Sequence, residues 1–362
     1  MNVCIIGDGL TSLSLAKNLI NKKINVHIYY EKKNKISPNR TIGISRSNFE
    51  FFKKEIQNIK KKWEIKKIEI YSEKLNNNKI INFEKSRNNL FIMVKNDELY
   101  KSLNNQLLKS KFYKKKKIKN NNFYQNLIKK NKYDLIINCL PKNHIAKKYF
   151  FKKINKNYNN LAYTTVIKHE KLENNTAIQI FTKYGPIAFL PISDIETSVV
   201  YSIDIKKNNY NKTKVIDLIK SYNPKFIIKK ISKLGQFELK SSNLRHYYYK
   251  NIVAFGDCLH KIHPLAGQGF NMTIRDIKVI SSIIQNRINL GIQLDSSILV
   301  EFEKKTKHIN FIFSSGVDSI FEFFNFDKKI KNQNFSKVLK FFGKNKILNN
   351  MFVKYADRGL KL

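Results

Sequence analysis

Arginine, glycine and cysteine are scarce in this 362-residue chain, and each scarcity is informative. The three cysteines, Cys4, Cys139 and Cys258, stand far apart and form no Cys-x-x-Cys pair. Neither a disulfide framework nor a metal site is therefore indicated. No run approaches the ~18 consecutive apolar residues that a spanning helix needs. The N-terminus, MNVCIIGDG, enters a strand pattern directly, with none of the three regions of a signal peptide, so cytoplasmic residence is the expectation.

Only 7 residues are arginine, although Lys and Arg together number 69 and the formal net charge is +42. Such an excess raises the question of nucleic acid or an anionic membrane surface. It is spread over the whole chain with abundant Asn and Ile, a pattern typical of AT-rich coding drift. A reader of bases would retain the arginine fork for bidentate contacts, so no nucleic-acid partner is expected. Three of the arginines (Arg40, Arg46 and Arg275) fall inside motifs. Of 12 glycines, Gly7, Gly9, Gly256, Gly267 and Gly269 lie in just two segments, where the backbone needs them.

What is present is ordinary for a globular protein: 42% hydrophobic residues and a chain long enough for one large or two medium cores. Residues 2–6 read as a buried strand, Gly7-Asp8-Gly9 as a turn, Leu10 to Ile20 as a helix and Ile24 to Tyr30 as a second strand. Together they make a mononucleotide-binding βαβ unit. Residues 38–60 read as a polar loop and then a helix, 64–83 as strands, 97–110 as a helix and 133–139 as a buried strand. The lysine-rich 114–119 reads as a solvated turn or surface segment. From 162 to 205 successive strands suggest an antiparallel sheet. A helix at 212–222, a strand at 251–255, a long helix at 268–288 and a helical remainder complete the reading.

Two motifs carry chemistry. In GDGLTS, Gly7 and Gly9 let the turn tighten and approach a pyrophosphate at the helix N-terminus, with Ser12 small enough for close packing. The acid expected at the end of the second strand is offset: strand parity selects Tyr30, whereas the carboxylate is Glu31, which either reaches ribose hydroxyls or is a solvated charge. In NIVAFGDCLHKIHPLAGQGFNMTIRDI, residues 251–277, a strand delivers Gly256-Asp257, Pro264 fixes a turn, and Gly267-Gln268-Gly269 opens a helix with free N–H groups. A helix N-terminus aimed at a ring suits the anionic edge of a reduced flavin.

This second run resembles the GD-x-x-H-x-x-x-P-x-x-GQG-x-N-x-x-x-x-D signature of FAD-dependent aromatic hydroxylases, and among them is most like the ubiquinone-biosynthesis hydroxylases. The resemblance extends to Arg40–Ser45, to Phe181-Thr182 with Gly185–Pro191, and to Lys354 and Ala356–Gly359. It implies an α/β fold: a Rossmann-like FAD-binding domain (1–62, 93–155 and 236–300), an antiparallel substrate domain (63–92 and 156–235) and a helical C-terminal region (301–362). It implies FAD held by Gly7, Gly9, Ser12, Glu31, Arg40, Gly256, Asp257, Pro264, Gly267, Gln268, Gly269 and Asn271, with His263 and Pro264 in the ring pocket and no metal.

The implied reaction transfers oxygen from O₂ to a phenol ring, with NAD(P)H as reductant and a prenylated phenol on the way to ubiquinone as substrate. An anionic membrane surface, on the inner face of the cell membrane, and a quinone-synthesis complex are the implied partners. The Phe-rich 311–326 reads either as an apolar face docked on the core or as a lipid-facing surface. Two departures point to an alternative, a non-hydroxylating FAD-binding oxidoreductase or accessory protein. Asn138–Lys147 lacks the Asp, Gly, Ser and Arg of the family's GADG-x-x-S-x-x-R pattern, and the stretch from Leu99 to Tyr133 is short.

Overall fold

The computed structural model describes all residues except 33–39, 74–78, 85–88, 120–121, 131, 205–209, 264–266, 330–356 and 358–362, with backbone alone for 81 and 324–329. The first half runs β1 (Asn2–Ile6), α1 (Leu10–Asn21), β2 (Asn25–Tyr30), β3 (Thr41–Ser45), α2 (Arg46–Phe51), β4 (Trp63–Ile65), β5 (Lys67–Ser72), β6 (Lys79–Glu84), β7 (Phe91–Lys95), α3 (Asn96–Leu108), β8 (Tyr113–Lys117), α4 (Phe123–Lys129), β9 (Leu135–Asn138) and α5 (His144–Tyr149). The second runs β10 (Lys153–His169), β11 (Thr176–Phe181), β12 (Pro186–Pro191), β13 (Glu196–Asp204), α6 (Lys212–Ser221), β14 (Ile228–Ile231), β15 (Gly235–Leu244), β16 (Tyr248–Tyr249), β17 (Ile252–Ala254), β18 (His260–Lys261), α7 (Gln268–Asn289) and α8 (Ser297–Lys329).

Among the described residues these strands form three sheets. The six-stranded sheet has the order β16-β17-β9-β1-β2-β8, so β17, late in the chain, lies beside β9. Pairing is parallel from β17 through β8, as in a doubly wound nucleotide fold. Strands β1 and β9 are near-continuous apolar runs because helices cover both faces. On α1, Leu13, Leu15, Ala16 and Leu19 are fully buried, which presses the helix onto the sheet.

The nine-stranded sheet has the order β18-β15-β10-β13-β12-β11-β5-β6, with β14 also on β10. Its core joins Tyr163, Ile180, Phe189 and Tyr201 to α6 through Val215 and Ile219. The sheet is antiparallel as expected except at one seam, where β11 and β5 run parallel. The third sheet, β3-β7-β4, bridges the other two: Thr41 Oγ1 donates to Ser198 Oγ at 2.9 Å, and Lys95 pairs with Glu196 at 2.7 Å.

Two local expectations are corrected. Within 38–60, residues 41–45 are a strand, because Thr-Ile-Gly-Ile-Ser alternates and finds a partner only in distant β7. The lysine-rich stretch is not a turn: Tyr113–Lys117 is the edge strand β8, with Tyr113 turned inward and Lys114 and Lys116 outward. Lysine at a sheet edge discourages further strands from adding on. On α8 the Phe-rich face is divided. Phe313, Val317 and Phe321 are buried, whereas Phe311, Ile312 and Ile320 are exposed.

Candidate functional site

The C-terminal ends of β1, β9 and β17 converge, and three turns meet there. Gly7 leaves β1 at φ +115°, and a Cβ on it would stand 3.3 Å from Leu140 Cδ2 and from Ser12 Oγ. Gly9 precedes α1, whose first turn holds no acidic side chain and whose cap makes no side-chain hydrogen bond. The leading N–H groups of α1 therefore keep their partial positive charge for an external anion.

Asp8, inside this turn, is 4% exposed. Its carboxylate lies 3.5 Å from Lys115 Nζ and accepts from Tyr100 at 3.4 Å, while the Lys115 ammonium stands over the Tyr30 ring at 5.2 Å. Burial, then the Asp8 charge, pushes the Tyr100 phenol up to about 12, so it stays a donor. The acid beside the helix N-terminus is thus neutralised by the protein and does not repel a phosphate. Sequence reasoning missed Lys115; the clue was strand parity with Tyr113.

Strand β17 ends in a single tight turn, Gly256–Cys258, with Gly256 at φ +58°. A Cβ there would meet Thr11 Cγ2 at 2.7 Å, so this turn lies directly against the start of α1. The Asp257 side chain is exposed at that junction. Cys258 is buried, its thiol pushed up to about 12 by burial, and is chemically quiet.

Where the Asp-Gly motif is missing, a buried amide pair holds the chain. Asn143 Nδ2 donates to Asn138 Oδ1 at 2.7 Å, Asn138 Nδ2 returns a bond to Asn143 Oδ1 at 3.2 Å, and Asn143 Oδ1 caps α5 through Ala146 N at 2.9 Å. Asn138 Nδ2 also reaches Cys258 Sγ at 3.5 Å, tying this loop to the Gly256 turn. Among the described residues the stretch from α3 to β9 holds β8 and α4. From α4, Tyr124 donates to Glu31 Oε1 at 2.6 Å and stacks on His144. Glu31, just past β2, is exposed and has this fixed partner.

The second half of the site lies at α7. Gly267, at φ +64°, opens the helix, and its first turn is again free of acids. Gln268 is 4% exposed. Its Oε1 accepts from Arg275 at 3.3 Å, but its Nε2 has no partner among the described residues. A Cβ on Gly269 would meet none of the described residues within 4 Å. Asn271 is fully engaged: it donates to Gly43 O at 2.8 Å and accepts from Ser45 N at 2.8 Å and Asn48 Nδ2 at 3.1 Å.

Asn271 therefore joins α7 to β3, and with it Arg40, which is exposed just before β3 and whose carbonyl accepts from Asn96 N. Pro264 lies outside the described residues. So does the tail similarity at Lys354 and Ala356–Gly359, apart from Asp357, whose carboxylate accepts from Ser47 N at 2.8 Å. His263 is 1% exposed, between the rings of Tyr158 at 4.8 Å and Phe321 at 4.3 Å. Burial and the nearby Lys156 lower its pKa to about 3, so it is neutral. His260 is hydrogen-bonded to Asp276, and Asp276 also accepts from Asn310 at 2.9 Å.

These residues fit a flavin dinucleotide. Two acid-free helix starts suit anionic oxygens, an exposed carboxylate at Asp257 suits ligand hydroxyls, and the buried Nε2 of Gln268, with no partner among the described residues, suits an acceptor.

The fold is that of FAD-dependent monooxygenases. The structure of Klebsiella pneumoniae HpxO complexed with FAD and uric acid superposes with a TM-score of 0.75 at 11% identity, covering 99% of this chain and 97% of that one. No family model matches the sequence. The chain is 25% identical over 213 residues to a mitochondrial ubiquinone biosynthesis monooxygenase, COQ6, from Dictyostelium discoideum, covering 49% of this chain and 42% of the relative. It is 29% identical over 161 residues to the 3-demethoxyubiquinol 3-hydroxylase of Escherichia coli K12, covering 41% and 39%. The matched part spans less than half the length of these curated relatives.

Proposed function

We propose that this chain binds FAD and hydroxylates an aromatic ring, the substrate being a prenylated phenol on the way to ubiquinone. The single observation that carries the reading is the junction of Gly256-Asp257 with the first turn of α1, where a Cβ on Gly256 would stand 2.7 Å from Thr11 Cγ2. The similarity to ubiquinone hydroxylases supports it independently. In this reading 1–62, 93–155 and 236–300 form the FAD unit, 63–92 and 156–235 the substrate unit, and 301–362 a helical region.

Bound FAD supplies electron transfer to O₂ and delivery of one oxygen atom, with NAD(P)H as reductant. The protein supplies the rest. Gly7, Gly9 and Ser12 shape the cradle for the pyrophosphate, and the leading N–H groups of α1 stabilise its charge. Asp257 accepts from ligand hydroxyls, Glu31 serves the ribose, and Arg40 reaches the cofactor from the start of β3. Gln268 Nε2 donates to the acceptor edge of the ring, where Gly267 and Gly269 open the start of α7 and Pro264 lines the pocket. Asn271 acts on the same pocket by holding β3 against α7. Neutral His263 closes one wall and helps exclude water.

The second reading, a flavoprotein that does not hydroxylate, is favoured by one feature: the Asn138–Asn143 pair replaces the family's Asp-Gly motif. Rapid-mixing reduction by NADH or NADPH, with and without a phenol, separates the two. The proposed hydroxylase bleaches near 450 nm, roughly the flavin's own absorption, and reoxidises in air with product formed. Absence of bleaching under every condition eliminates the monooxygenase reading, and colourless protein eliminates both.

Among the described residues no helix is long and apolar enough to cross a membrane. The proposed substrate resides in a bilayer, so the protein is proposed to work peripherally at the inner face of the cell membrane, within reach of a quinone-synthesis complex.

A further inference from the structure

The six-stranded sheet has two unlike edges. At one, β8 presents Lys114 and Lys116 with no exposed large apolar side chain in the strand. At the other, β16 and the outward face of α8 line an open groove of about 1000 Å³. Val300, Lys304, Lys307 and Phe311 recur there at helical spacing, so among the described residues one stripe of α8 has no protein layer over it. Ile154, Tyr249, Val300 and Phe311 stand 45%, 40%, 48% and 47% exposed around it. Arg245, Lys250, Lys304 and Lys307 line it as well. The one acid among the described lining residues, Glu303, is already engaged, accepting from Tyr247 N at 3.0 Å and pairing with Lys307 at 3.0 Å.

We infer that this groove is the face by which the protein lies on an anionic bilayer. Charge complementarity selects an anionic occupant. The apolar side chains interleaved with the cations select one that also offers hydrocarbon, as headgroup phosphates above acyl chains do. The groove's cations meet the phosphates, and Val300, Tyr249 and Phe311 enter the acyl boundary. The inference deepens the proposed use of a bilayer-resident phenol and rests on it for its purpose, whereas its test does not depend on that reading. Edge strand β8 is basic but lacks this combination, which makes the claim about this face and not about net charge.

The test is co-sedimentation of the full chain with vesicles of phosphatidylcholine alone and of phosphatidylcholine with one third phosphatidylglycerol. Wild type is expected to pellet with the anionic vesicles only. Lys250→Glu with Lys304→Glu lowers binding by about tenfold or more, since each basic residue near such a surface contributes about 1 kcal/mol. Val300→Ser with Phe311→Ser lowers it without changing charge, and Lys114→Glu with Lys116→Glu has less than about a twofold effect. Equal losses for the groove and β8 pairs overturn the inference in favour of diffuse charge. No pelleting of wild type overturns it outright, and a dimer that requires Val300 and Phe311 overturns it in favour of a second copy. Circular dichroism verifies that each variant folds. Flavin absorbance, read separately, tests the cofactor reading alone.

Discussion

His260 Nε2 and Asp276 Oδ2 lie 2.5 Å apart, their side chains 2% and 1% exposed, on the two sides of the turn that opens α7. The pair closes a loop of the chain around Gly267–Gly269, and Asn310 from α8 completes the coordination of the carboxylate. Buried and engaged on both sides, the pair braces the start of α7. Asp276→Ala leaves a buried imidazole and a buried amide without their acceptor. The expected loss is about 3 kcal/mol, measured by urea denaturation, with Asp276→Asn losing less.

At Gly256 the cost is conformational. An alanine must hold φ +58° and place its Cβ 2.7 Å from Thr11 Cγ2. Gly256→Ala is expected to lose about 2 kcal/mol and to weaken FAD retention. Adding Thr11→Ala removes the clash but not the strained backbone, so thermal denaturation of the double variant should recover only part of the loss.

Asp257 is the opposite case, exposed and with no hydrogen bond to another described residue. Asp257→Ala should change stability by less than about 0.5 kcal/mol. Its effect falls on the ligand: the Kd for FAD, followed by fluorescence quenching, rises by about tenfold or more as a charge-assisted hydrogen bond is lost. A large stability loss with unchanged affinity would make the residue structural.

His263 predicts a pH dependence. Burial and Lys156 hold its folded pKa at about 3, below the ordinary value of 6.5. In the unfolded chain it takes a proton first, so the unfolded state binds more protons between those values. The stability this histidine contributes is complete above pH ~6.5 and is lost as pH falls toward ~3, by up to about 1.4 kcal/mol per unit. Urea midpoints at pH 7 and pH 4.5 should differ less in His263→Phe than in wild type, provided the variant folds.

The legible parts of the fold and site were those a few adjacent residues dictate. Glycines at positive φ announced the turns at Gly7, Gly256 and Gly267, and unbroken apolar runs announced β1, β9 and β17. The less visible parts depend on partners far away in sequence. Strand β3 exists through its pairing with β7, and Asn271 spends its side chain on that strand's backbone. Lys115 acquires meaning from Asp8, and Tyr124 from Glu31. The missing Asp-Gly pattern was visible as an absence. The pair of amides that stands in its place became apparent only when Asn143 was seen beside Asn138.

The place of β17 beside β9 has a consequence for the chain's birth. As the polypeptide leaves the ribosome, β1, β2, β8 and β9 can assemble, yet one edge of β9 stays bare while roughly a hundred further residues, including the second sheet, are made. That edge is a row of unpaired amides next to apolar faces, the kind of surface that recruits a neighbouring chain. The six-stranded sheet is finished by the last of its strands to emerge, β16 and β17. Yield of soluble protein should therefore follow the pace of synthesis and the supply of chaperone more than the stability of the finished fold.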